Sequence, residues 1–290
     1  MKKSLITTAL LGFASAAISV STANAATIFT GPGDLILGFY ASSGTGSGST
    51  VQVDLGSATI YDNATPGEII NLSGVNGLST LDLSTTYGAG FASDTSLQWG
   101  VAAGNAVTSI PGVPFDTVWV SDPEIHPGTL NTPWTTDVAL NQQTPSDAIE
   151  TINGGMNAMT STANSNVTEI VPASQGNSWA FQDDLNVPGS SFGYFVPTID
   201  NKITNTATSG TLLGGGNASG YSLSDFYLLN PNAPVNSNGQ LLGQFQFNAS
   251  TGVFRFVAAV PEPSSIGLTG VGFLSLIGFV ALRRRRSIMA

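Results

Sequence analysis

The chain's only histidine, His126, lies in the stretch SDPEIHPG, with Asp122 four residues and Glu124 two residues before it. Carboxylates and imidazole are metal-ligand types, but a metal site usually draws further ligands from other parts of a fold. Pro123, Pro127 and Gly128 already account for a solvated acidic turn here, so no bound metal is expected. A Ser-His-Asp triad would have to use the same His126. No G-x-S-x-G elbow accompanies it, since TGSGST at Thr45–Thr50 misses the spacing. Gly44, Gly46 and Gly48 lack a phosphate-binding lysine, and the dinucleotide spacing fails at Ser49, so they read as a hairpin tip. Asp183 and Asp184 are adjacent, and neighbours in a strand point to opposite faces. Calcium-loop patterns are absent.

Four tryptophans remain. Trp99 and Trp119 sit within apolar runs and read as core. Trp134, in NTPWTT, and Trp179, in GNSWAF, lie among loop residues and are the candidates for stacking on sugar rings. With no cysteine, thiol chemistry and disulfides are excluded, and stability must come from burial and backbone pairing. The residues thus imply no cofactor and no catalytic site. The chain is expected not to be an enzyme. A secreted carbohydrate-binding module, or a glycoside hydrolase needing only two carboxylates, is the alternative.

The elements that would position these residues are mostly strands. Short apolar or alternating runs recur between turn residues: Asp34–Tyr40, Val51–Leu55, Leu97–Ala102, Thr117–Val120, Gly193–Val196 and Phe226–Leu229. Leu241–Asn248 and Val253–Val260 flank Ala249–Gly252, a four-residue hairpin with glycine at its end. One helix is expected, with Thr144 as N-cap, Pro145 at the first helical position and Asp147 closing a capping box; Ile149, Ile152, Met156 and Met159 follow at helical spacing. A shorter helix over Asp82–Tyr87 would end at Gly88. The expected fold is mainly β, a jelly-roll-like sandwich with one or two short helices, over residues 26–259. A β-solenoid is the alternative, although no repeat period is found.

That stretch holds all 18 acidic residues except Glu262, but of the eight cations only Lys202 and Arg255. Such a surface repels nucleic acid and anionic lipid.

The cations that are missing from the body stand at the ends. Lys2-Lys3, an apolar run from Leu5 to Val20 and Ala23-Asn24-Ala25 have the order of a secretory signal peptide over residues 1–25, cut between Ala25 and Ala26. Ile266–Leu282 is 17 residues without a charge, roughly 26 Å as a helix, against a hydrocarbon core of about 30 Å. Arg283, Arg284, Arg285 and Arg286 follow directly and read as a stop-transfer device that leaves the preceding body on the periplasmic side. Before the apolar run, Pro261 and Pro263 fix φ and favour an extended backbone, and Glu262 is the one charge between Arg255 and Arg283.

Pro261-Glu262-Pro263, an apolar helix and an arginine cluster in this order resemble the PEP-CTERM protein-sorting signal, over residues 260–287. The resemblance implies a bacterial host and recognition of the tripeptide by exosortase, a membrane transpeptidase, which removes the tail and delivers the protein to the cell surface or beyond. Pro261, Glu262 and Pro263 would then be recognised residues of a substrate. The partners expected are the Sec translocon, exosortase and afterwards exopolysaccharide. The body also resembles passenger domains of PEP-CTERM proteins, which implies no activity.

Overall fold

A computed structural model describes residues 31–74, 80–106, 110–124, 132–158, 168–184, 191–196 and 199–260. In chain order the elements are β1 (Asp34–Ala41), β2 (Ser49–Ser57), α1 (Ala58–Asp62), β3 (Ile69–Asn71), α2 (Thr80–Tyr87), β4 (Leu97–Asn105), β5 (Thr117–Pro123), α3 (Ala139–Ala158), β6 (Thr168–Pro172), α4 (Trp179–Gln182), α5 (Phe192–Phe195), β7 (Asn201–Lys202), β8 (Ser222–Leu229), β9 (Gln240–Asn248) and β10 (Val253–Ala258). Among the described residues, all ten strands pair antiparallel in one sheet, ordered β3-β10-β9-β8-β5-β4-β1-β2-β6, with β7 on a flank of β4.

The expected sandwich is therefore corrected. A single sheet curls into a half-barrel, and no second sheet covers it among the described residues. The curl shows in contacts between strands far apart in the sheet order. Phe39 of β1 meets Phe247 of β9 with ring centres 5.6 Å apart, and Trp99 of β4 meets Phe254 of β10 at 5.8 Å. The concave face thus packs against itself. Strand alternation supplies it: Leu35, Leu37 and Phe39, then Trp99, Val101 and Ala103, then Phe245, Phe247, Phe254 and Phe256 all join one buried cluster. Tyr61 of α1 sits edge-on to Phe256 at 5.2 Å, and its hydroxyl donates to the Leu55 carbonyl. The expected hairpin is present, with Phe254 opposite Phe247, Phe256 opposite Phe245, and Gly252 at φ 71°.

The convex face is covered by helices. Ile149, Ile152 and Met156 of α3 pack with Ile36, Ala102, Val118 and Val120 from β1, β4 and β5. These are helix positions that the spacing predicts, but the helix begins earlier than Thr144. Asp137 takes the capping part: its Oδ1 accepts the Val138 N–H at 2.7 Å, while Gln142 Oε1 accepts the Asp137 N–H at 2.9 Å. Pro145 then falls inside α3. The run Gly193–Val196 is also corrected, from strand to the helix α5, because four apolar residues fit either period. The helix expected over Asp82–Tyr87 is present as α2, followed by Gly88 at φ 88°.

The signal peptide with Ala23, Ala25 and Ala26, the sorting motif 261–263, the anchor 266–282 and Arg283–Arg286 lie outside the described residues, as does His126. Among those described, no helix is long and apolar enough to cross a membrane.

Candidate functional site

The two sugar-stacking candidates, Trp179 and Trp134, are placed in different surroundings by the fold. Trp179 is fully buried. GNSWAF is not a loop but the start of α4, where Ser178 Oγ accepts the Phe181 N–H at 3.1 Å. The indole lies in a trench formed where Gly38 of β1 and Gly100 of β4 stand opposite each other, so that a Cβ at either position would meet the ring. Its backbone N–H donates to Gln52 Oε1 at 2.6 Å, its Nε1 donates to Asp200 Oδ1 at 3.0 Å, and its ring meets Phe192 at 4.9 Å. No ring face is left for a sugar. Trp99 and Trp119 are fully buried too, as expected, and Trp99 Nε1 donates to Ser222 Oγ at 2.9 Å.

Asp183 does find a carboxylate partner, but it is Asp200 rather than Asp184. The two carboxyls lie close enough to interact, and both are raised by burial. Tyr40 donates to Asp183 Oδ2 at 2.9 Å and Gln98 Nε2 donates to the Tyr40 hydroxyl at 3.1 Å. Burial, then the charge of Asp183, holds the Asp200 carboxyl well above the usual carboxylate range. A glycosidase pair stands about 5 Å or more apart to admit a sugar or a water. Two carboxyls in contact, with Asp200 also tied to Trp179, form a clamp between α4 and the sheet.

Asp122 also faces a second carboxylate, since it stands opposite Asp225 in the pairing of β5 with β8. Burial, then Asp225, pushes Asp122 up to about 7. Glu124 accepts a hydrogen bond from the Gln244 amide. Among the described residues no group of three or more histidine, cysteine or acidic side chains is placed to hold a metal ion.

Trp134 is half-buried and lines a cleft of about 550 Å³ with Thr135, Thr136, Asp137, Leu140, Asn141, Thr144, Ser191, Tyr194, Phe195, Val196 and Asn236. Three segments distant in sequence build it. Trp134 is pinned by its Nε1, which donates to the Ser121 carbonyl at 3.1 Å, and by its carbonyl, which accepts the Gly239 N–H at 2.6 Å. Thr136 Oγ1 donates to the Pro234 carbonyl at 2.7 Å, which ties the same segment to the loop carrying Asn236. Across the cleft, α5 turns Phe192 inward and Tyr194 outward, 59% exposed. Leu140, 76% exposed, projects from the first turn of α3. Asp137 holds both its carboxylate oxygens in that turn, with Oδ2 accepting from the Asn141 amide at 2.9 Å. The sequence singles out Trp134 but not Tyr194, whose short apolar run reads as a strand. It does not point to Leu140 or Asn141 either, because both precede the expected helix start.

No curated protein and no solved structure matches the chain. Residues 259–286 match the family model of the PEP-CTERM protein-sorting motif. That motif implies export, surface localisation and exosortase as the processing partner. The half-barrel is thus followed by a PEP-CTERM protein-sorting motif, which supports an exported protein processed by exosortase.

Proposed function

We propose that the mature body is a non-catalytic component of the cell surface or of the extracellular polymer, associated there with exopolysaccharide. The observation that carries this reading is the sorting motif over residues 259–286. In this scheme the Sec translocon exports the chain and residues 1–25 are removed between Ala25 and Ala26. The helix 266–282, stopped by Arg283–Arg286, holds the body on the periplasmic side until exosortase cuts at Pro261-Glu262-Pro263. Two properties of the body support the non-catalytic role. Its carboxyl pair Asp183 and Asp200 is locked by mutual contact and by Trp179, and the cleft beside Trp134 presents aromatic, amide and hydroxyl groups around one engaged carboxylate.

The reading is tested in the producing cell. Wild-type protein recovered outside the cell will have a C-terminal mass ending close to Pro261–Pro263, without the arginines. Glu262→Ala will leave an uncut precursor in the membrane fraction, because the tripeptide loses its only charge. Full-length protein in the culture fluid, Arg283–Arg286 included, or normal release of the variant, would overturn the assignment.

A further inference from the structure

The cleft around Trp134 is built for a ligand, and its chemistry narrows which one. Eight large apolar side chains are exposed among the described residues. Leu140 and Tyr194 line the cleft, while Val138 and Val235 neighbour the lining residues Asp137 and Asn236 in sequence. Four of the eight thus lie on the lining of one concavity or next to it in sequence, and an apolar cluster of that kind marks a binding surface. The other lining groups are hydroxyls and amides from Thr135, Thr144 and Asn236, together with Asn141, whose Oδ1 is left to accept once its Nδ2 has bonded Asp137. Apolar ring faces beside paired donors and acceptors suit the pyranose ring, which has an aliphatic face and an equatorial rim of hydroxyls. The volume falls within the ~300–1,000 Å³ of ordinary small-ligand sites.

Charge then selects among sugars. Among the described residues of the lining, the only ionisable side chain besides the Tyr194 phenol is Asp137. Neither of the body's cations reaches the cleft: Lys202 lies on β7, and Arg255 is bonded to Gln246 and stacked over Tyr221 on the β10 side. An acidic polysaccharide would bring carboxylates to a wall with nothing to neutralise them, within a body of strongly negative charge.

We infer that this cleft binds a neutral glycan chain, with Tyr194 and Trp134 as stacking faces, Leu140 as an apolar edge, and Asn141, Thr144 and Asn236 reading hydroxyls. The inference rests on the polysaccharide-associated role proposed above and supplies the place and the ligand class for it.

The test is affinity electrophoresis of the exported protein through gels holding a soluble β-glucan, galactomannan, dextran, the neutral fraction of the host's own exopolysaccharide, or alginate as the anionic polymer. At least one neutral polymer will retard the protein, and alginate will not. Tyr194→Ala will weaken the retarding interaction roughly three- to tenfold, the scale of one lost aromatic contact, whereas Tyr194→Phe will keep it. Leu140→Ala will weaken it as well. Ile60→Ala, at an exposed position on α1 outside the cleft, will leave it unchanged. All three positions are exposed, so folding is preserved in each variant. Retardation by alginate alone, by no polymer, or equally for wild type and Tyr194→Ala would overturn the inference. The Glu262→Ala protein, solubilised from membranes, binds like wild type in this assay, so a failure of sorting and a failure of glycan binding are read separately.

Discussion

Unfolding of the exported protein at a series of pH values will show its greatest stability near pH 4–5 and a continuous loss up to pH 8. The cause is a set of carboxyl groups that the fold makes harder to ionise. Burial pushes Asp54 and Glu150 up to about 6 and Glu169 up to about 7, while burial and Asp225 bring Asp122 to about 7. Burial, then the charge of Asp184, raises Asp183, and burial, then the charge of Asp183, raises Asp200. Both Glu169 carboxyl oxygens are buried without a hydrogen-bond partner. In the unfolded chain these groups ionise at their ordinary values of 3.8 for Asp and 4.5 for Glu. Between about pH 4 and 7 the folded state therefore holds more protons than the unfolded one, and stability must fall as pH rises. Below that window both states are protonated and this contribution is complete. Above it, each group must be ionised in place, with only Lys202 and Arg255 in the body to offset it.

Each tenfold change in a carboxyl's ionisation constant between the folded and unfolded chain is worth about 1.4 kcal/mol. Several of these groups retain access to water, so the summed loss from pH 5 to pH 8 is roughly 3–6 kcal/mol, a fall in Tm on the order of 10–20 °C. Urea midpoints and thermal melts across that range measure it. Asp200→Asn removes one ionisable member of the buried pair while its amide oxygen can still accept from Trp179 Nε1. This variant will be more stable than wild type at pH 8 and will show a shallower pH slope. Stability that is flat or rises with pH would mean that these carboxyls are solvated or paired in a way the fold does not show.

How far the residues foretell this architecture depends on the range over which each feature is encoded. The β9–β10 hairpin is legible because alternation and turn chemistry are local, and Phe245, Phe247, Phe254 and Phe256 face inward as their period requires. Alternation says that one face of a strand is buried, but not against what. Here the apolar face of β1 meets β9 across the curl of its own sheet, which alternation cannot distinguish from a second sheet. The start of α3 is misplaced by the sequence because Pro145 suits a first helical position, whereas the cap is formed by Asp137 and Gln142. The sorting signal lies within one contiguous stretch, so it is readable without a fold. The cleft is the opposite case, since Trp134, Leu140, Tyr194 and Asn236 converge only after α3, α5 and the loop before β9 have docked. One overlooked signal is present for Trp179. Gly38 and Gly100 interrupt apolar strands, and a glycine in a strand interior often marks a close approach by another group.

That approach sets up the second large effect. A methyl group at Gly38 would overlap the Trp179 ring, and one at Gly100 would overlap Asp200 Oδ1 and come within 2.9 Å of Trp179 Cζ2. Neither strand can move aside, because the two glycines are paired to each other near the middle of a sheet that is packed on both faces. Gly38→Ala will therefore expel the indole and destabilise the protein by about 3–5 kcal/mol, comparable to Trp179→Ala, as for loss of any fully buried large aromatic. Combined in one chain, the two changes will not add. Once the ring is gone, the methyl at residue 38 fills part of the space, and an alanine is easier to order in a strand than a glycine. The double variant will be no less stable than Trp179→Ala alone, within about 1 kcal/mol, in urea denaturation at pH 5. Full additivity would show that Gly38 serves some purpose other than making room for the ring. The same cycle reaches the cleft. Phe192 packs on Trp179, and Phe192 and Tyr194 share the single turn α5, so loosening the indole releases the support under Tyr194. Trp179→Ala will then weaken glycan retention although Trp179 touches no ligand. Tyr194→Ala will weaken the same retention with the melting midpoint unchanged, which separates the face that meets the sugar from the buried ring that holds it in place.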